Sequence, residues 1–150
     1  MAIDASFVGR SYPATEPYLV GREKIREFAT AIGVTSPVCH DPVAAQALGY
    51  ADVVAPPTFA VVVTMKAGNT VTFDPDLGLD YSRVVHGEQS FRYTRPIVAG
   101  DELAVSVTVE SIRSVAGNDI LGLRADVTDA SGDPILSARS VVVARGRAGS

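Results

Sequence analysis

Pro56-Pro57-Thr58-Phe59-Ala60-Val61-Val62-Val63-Thr64-Met65-Lys66-Ala67-Gly68 holds a single charge, near its far end, so nearly every side chain in it requires burial. By local propensity the β-branched run from Val61 to Thr64 suits a strand. The punctuation favours a helix. Proline is tolerated at the first helical position, Lys66 falls in the last turn, and Gly68 fits just past the end. A helix apolar on all sides has to be enclosed by protein. The other large apolar surface of the chain lies in strand patterns after residue 80, so this stretch predicts a buried helix gripped by a curved antiparallel sheet, an α+β fold.

The strand patterns begin at Arg83. Val84 to Tyr93 is followed by a break at Pro96 and a turn at Ala99-Gly100-Asp101. Leu103, Val105, Val107 and Val109 then alternate with Ala104, Ser106, Thr108 and Glu110, the period of a half-buried strand. A turn at Ala116-Gly117-Asn118 leads to a second alternation through Leu121, Leu123, Ala125 and Val127. Ser131-Gly132-Asp133 turns into a last strand, Ile135 to Ala144. Short turns between successive strands predict an antiparallel meander.

Upstream of the central stretch, Phe7 to Pro13 is a short lead-in and Tyr18-Leu19-Val20 suits a brief strand. Gly21 to Gly33 reads as an amphipathic helix, with Ile25, Phe28, Ala29 and Ile32 on one stripe and Gly33 as its stop. Glu23 and Glu27 can pair with Arg22 or Arg26 on its solvated face. Thr35 to Asp41 is a polar loop, and Asp41-Pro42 caps a short helix from Val43 to Leu48, ended by Gly49. Asn69 to Asp80, with turn residues at Asp74-Pro75-Asp76 and Gly78, reads as an excursion between the central helix and the sheet. Residues 1–150 are expected to form one domain.

Composition narrows the function classes. At 150 residues, 47% of them hydrophobic, the chain can bury a substantial core. A net charge of -4 provides no general attraction to nucleic acid or to an anionic membrane. Cys39 is the single cysteine, which excludes an internal disulfide and fits a reducing cytosol. Met1-Ala2-Ile3-Asp4 opens without the basic segment and apolar run of a signal peptide, and no apolar stretch reaches membrane-spanning length, so a cytoplasmic location is expected. No phosphate-binding glycine loop and no metal-ligand spacing is present; neither a cofactor nor a metal is expected.

Val84-Val85-His86-Gly87-Glu88-Gln89-Ser90-Phe91, continuing through Arg95-Pro96-Ile97-Val98-Ala99-Gly100-Asp101, resembles the His-Gly-Glu-Gln strand and following turn of the MaoC-like (R)-specific hydratase/dehydratase family, in its non-catalytic N-terminal halves. Gly21 to Ala29 and Ala55-Pro56-Pro57-Thr58-Phe59 resemble the accessory subunit of actinobacterial two-subunit (3R)-hydroxyacyl-ACP dehydratases. The resemblance covers nearly the whole chain. It implies a single hot-dog fold, an acyl-ACP or acyl-CoA ligand, and either a homodimer or a heterodimer with a catalytic MaoC-like subunit. Pro57, Thr58, Phe59, Val62, Val63, Met65 and His86 are then the expected wall of the acyl site.

Reversible dehydration of a 3-hydroxyacyl thioester needs a base at C2, an acid at the departing hydroxyl and donors for the thioester oxygen. Catalytic members of the family supply acid and base from a loop, Gly-Asp-x-Asn-Pro-(Ile/Val)-His. The matching stretch is Gly33-Val34-Thr35-Ser36-Pro37-Val38-Cys39, with Val34 at the aspartate and Cys39 at the histidine. Neither can perform that proton transfer. His40 lies one position later, but a one-residue slip in an extended segment reverses the side chain's direction. The simpler reading is a surface histidine beside the Asp41 cap.

His86 and Glu88, at spacing two on a strand, are expected on one face with Gln89 opposite. They form either an acid/base pair or a hydrogen-bonded element lining the pocket or a subunit seam. Arg83, Arg92 and Arg95 are weak candidates for phosphate binding. Cys39 as a nucleophile lacks a neighbouring base. The expected function is the acyl-thioester-binding subunit of a dehydratase whose catalysis comes mainly from a partner. The alternatives are a non-catalytic homodimeric acyl-thioester binder and a hot-dog thioesterase, the last opposed by the lack of a carboxylate between Pro56 and Gly68.

Overall fold

The computed structural model describes residues 3–146; the expectation drawn from Met1 and Ala2 lies in part outside them. Strands β1 (Tyr18–Leu19), β2 (Val84–Tyr93), β3 (Glu102–Val115), β4 (Asn118–Thr128) and β5 (Pro134–Ala144) form one antiparallel sheet. Helices α1 (Arg22–Ala31) and α2 (Pro42–Ala47) precede the central helix α3 (Val61–Thr72). The alternating residues Leu103, Val105, Val107 and Val109 of β3 and Leu121, Leu123, Ala125 and Val127 of β4 are all buried, beneath Val63, Ala67 and Val71 of α3. Sequence periodicity and core face therefore agree in both strands.

The meander needs correcting. The sheet order is β1-β3-β4-β5-β2. Only β3, β4 and β5 follow one another in space, and β2 pairs with β5 at the far side instead of with β3. The cause is the chain between them. Residues 94–101 contain Pro96 and bury Ile97 and Ala99, so the connection crosses the core rather than turning tightly. It is held there by Ala55 N–H donating to Ile97 O (2.8 Å) and Ala99 N–H to Val53 O (3.0 Å). The β3–β4 hairpin is a two-residue turn, Ala116 at φ 50° and Gly117 at φ 78°, whose left-handed backbone matches strand twist.

The central helix also runs longer than its punctuation predicts. Pro57–Ala60 forms a 3-10 turn, and α3 then continues through Gly68 to Thr72. Glycine costs a helix interior about 1 kcal/mol, and burial of Val71 and Thr72 beyond it outweighs that. The helix is not enclosed on all sides in this chain: Met65 is 56% exposed and Val62 only partly buried. The flanking elements follow the sequence more closely. Asp41 Oδ1 accepts from Val43 N–H (2.9 Å) to cap α2, and Ile25 and Ala29 of α1 are buried while Ile32 is exposed. Glu23 pairs with Arg26, but Arg22 leaves the helix face for a bidentate pair with Asp52 (2.8 and 2.9 Å).

Candidate functional site

On α3, Thr64, Gly68 and Thr72 recur every four residues, with Met65 and Asn69 one position on, so these five share a side of the helix. That side borders a cavity of about 200 Å³ between α3 and the inner face of the sheet. Its floor is apolar, from Val107, Leu123, Ala125, Ala138 and Val142. Asn69, His86, Gln89 and Ser140 are its polar wall, and Tyr81 stands beside them. Thr64 Oγ1 donates to Ala60 O at 3.0 Å, so its hydroxyl proton is already engaged. Among the described residues no carboxylate lines the cavity.

His86 reaches it because of an irregularity in β2. The ladder runs His86↔Val142, Glu88↔Val141 and Gln89↔Ser140, leaving Gly87 as an extra residue opposite no partner. Such a bulge reverses the alternation beyond it. His86 and Gln89 therefore share the inner face with Val142 and Ser140, and Glu88 joins Ser90, Val141 and Arg139 on the outer face. This overturns the expected pairing of His86 with Glu88 and with it the acid/base pair. Spacing in sequence cannot reveal an inserted residue in a ladder; the glycine itself was the available signal.

Of the remaining expected wall residues, all but one lie elsewhere. Met65 does line the cavity. Phe59 is 0% exposed and packs edge-on to Phe28, ring centroids 5.5 Å apart at 78°, as part of the core. Val63 is buried with it, and Val62 packs against the core edge. Pro57 and Thr58 are exposed in the 3-10 turn, where the Pro57 carbonyl accepts from the Tyr93 hydroxyl. Burial pushes that hydroxyl's pKa up to about 12, so it stays a donor.

In the degenerate loop, His40 is occupied locally. Its Nε2–H donates to the Val34 carbonyl at 2.8 Å, and its own carbonyl accepts from Arg26 Nε at 2.8 Å. Cys39 is buried, which pushes its thiol pKa up and keeps it protonated. The arginines divide. Arg95 grips Asp101 through two bonds of 2.8 and 3.0 Å, and Arg83 pairs with Asp80 at 2.8 Å. Arg92 is exposed and makes no ion pair among the described residues.

A curled sheet around a long helix, with a cavity between them, is an arrangement known proteins share. The description "FAS1-like, dehydratase domain region" matches residues 6–138. The chain belongs to this family. It is 61% identical to a UPF0336 protein of Streptomyces avermitilis over 145 residues, covering 97% of each chain. Among solved structures it resembles a MaoC-like dehydratase, with 39% identity and a TM-score of 0.87, and covers 94% of this chain but 43% of that one. It also resembles the C-terminally truncated HadBC (3R-hydroxyacyl-ACP dehydratase) complex from Mycobacterium tuberculosis, with 29% identity and a TM-score of 0.81, over 91% of this chain and 96% of that one. The fold is the hot-dog fold of the MaoC-like dehydratases, as the sequence led us to expect.

Sequence reasoning missed Thr64, Gly68, Asn69 and Thr72. The signal was present: small and polar residues at helical spacing on an otherwise apolar segment. Ending the helix at Gly68 concealed it.

Proposed function

We propose that this family member is the acyl-thioester-binding subunit of a (3R)-hydroxyacyl-ACP or -CoA dehydratase in cytoplasmic fatty-acid metabolism, paired with a MaoC-like subunit that supplies the proton-transfer residues. The observation that carries the reading is the cavity beside α3: apolar at its floor, polar at His86, Asn69 and Gln89, and free of carboxylates among the described residues. Such a cavity can hold an acyl tail, and its one imidazole, His86, has no carboxylate beside it in the lining among the described residues to orient it as a base for water or for C2. Val34 and Cys39, an aliphatic side chain and a buried thiol, stand where catalytic relatives of this family carry their acid and base. A thioesterase reading is disfavoured by the same lack of a carboxylate.

The partner has a natural place to dock. The N-terminal segment covers the free side of β3 through Gly9 N–H to Val109 O (2.8 Å), Tyr12 N–H to Val107 O (2.8 Å) and Thr15 N–H to Val105 O (3.0 Å). At the opposite side β2 pairs, among the described residues, only with β5, which leaves its outer edge without a strand partner there. A second hot-dog unit adding its own edge strand there completes the hydrogen bonding and shields Met65 and Val85. The test is hydration of a trans-2-enoyl thioester by the chain alone, by a co-purified MaoC-like partner alone, and by both. Turnover that requires both supports the proposal. Rapid turnover by this chain alone overturns it.

A further inference from the structure

Gly68 lies in the interior of α3 with nothing in its own surroundings that requires a glycine. Its φ is not in the left-handed region. A Cβ built on it meets one atom, Leu123 Cδ1, at 3.9 Å, which is ordinary van der Waals contact. Alanine would therefore fit, would pack on Leu123, and would raise the helix propensity of a segment that glycine weakens. Contrast Gly122 of β4, where a Cβ would lie 2.4 Å from Ser111 Oγ, so that the Ser111 side chain would have to shift. What a side chain at position 68 would occupy is space in the cavity between α3 and the sheet.

We infer that Gly68 sets the length of acyl tail the site accepts, the tail running over its bare Cα towards Leu123, Ala125 and Ala138. This rests on the acyl-thioester reading above and adds to it the residue that measures the ligand. The neighbours fit the role. The wall around Gly68 is apolar on the sheet side and is kept open by the small side chains of Ala125 and Ala138. The hydrogen-bonding groups, Asn69, His86 and Gln89, border the same cavity and can receive the polar thioester end. An apolar tail over Gly68 with its polar head at these side chains places each part of the ligand against matching surface.

The test uses the full chain paired with its MaoC-like partner, the same complex with Gly68→Ala or Gly68→Leu, and saturated acyl-CoA and acyl-ACP thioesters from butanoyl to hexadecanoyl. Binding is measured by calorimetry and melting temperature without ligand. We expect Gly68→Ala to melt no lower than the parent and to bind the longest accepted chain about fourfold more weakly, the factor for one displaced methylene. Gly68→Leu shifts the preferred length to shorter chains, its loss of affinity growing with each added methylene of the tail. If both variants keep the parent's length profile, Gly68 is not the gauge. If the parent complex binds neither acyl-CoA nor acyl-ACP of any length, the acyl-thioester reading fails and takes this inference with it. Melting temperature separates either result from a folding defect.

Discussion

Phe59 and His40 show how far a residue's chemistry falls short of its role. Phe59 carries the most apolar surface in its stretch and so looked like tunnel wall, but its ring is consumed by Phe28. Phe59→Ala should destabilise by about 3–5 kcal/mol through the cavity it leaves, with the acyl-length profile unchanged; a profile shifted to longer chains would put the ring back in the site. His40 sits one place from a catalytic motif, yet its Nε2–H is held by the Val34 carbonyl. His40→Ala should cost about 1 kcal/mol for the lost hydrogen bond and leave hydration by the paired subunits intact. Loss of turnover with unchanged melting would instead make His40 a participant.

At the scale of elements, β2 carries the lesson. The bulge at Gly87 lets His86 face the cavity while Glu88 faces outward. It absorbs one residue without disturbing the pairing on either side. Deleting Gly87 should therefore leave the ladder and the side-chain faces as they are, with a small change in melting. Deleting Ser90 from the same strand should reverse the faces of everything on one side of the gap and be strongly destabilising. Equal melting of the two deletions would mean that the register is not set by this bulge. Helix α1 needed no such correction, because its stripe of Ile25, Phe28 and Ala29 is local, and a 3.6-residue period is visible in any window.

For the whole molecule, sheet closure and charge make separate demands. With the β3 side covered and β2 bare, the chain should not persist as a monomer at micromolar concentration, and sedimentation measures this directly. A stable monomer would remove the docking argument. Acid should loosen the fold in a definite window. Arg139 holds Glu110 below its usual 4.5, helped by Arg124, and Arg22 holds Asp52 below its usual 3.8. Lowered native values mean that the unfolded chain binds protons first as pH falls, so this stabilisation is full near neutrality. It is lost as pH drops below 4.5 and through the still lower native values. Melting temperature should fall on that limb, less steeply in Glu110→Gln; a parent protein whose melting is flat there would contradict it.

Local chemistry determined what was local. Alternation in β3 and β4, the Asp41 cap and a turn at Ala116-Gly117 were all legible, because each depends on neighbours in the chain. Where β2 pairs, where α3 ends, which of its sides borders the cavity and which face His86 takes were decided only by the tertiary structure. Each of those depends on residues far apart in sequence: β5 for β2, Leu123 for Gly68, Phe28 for Phe59. Periodicity reports a residue's neighbours along its own element, and the energy that chose these arrangements comes from contacts between elements.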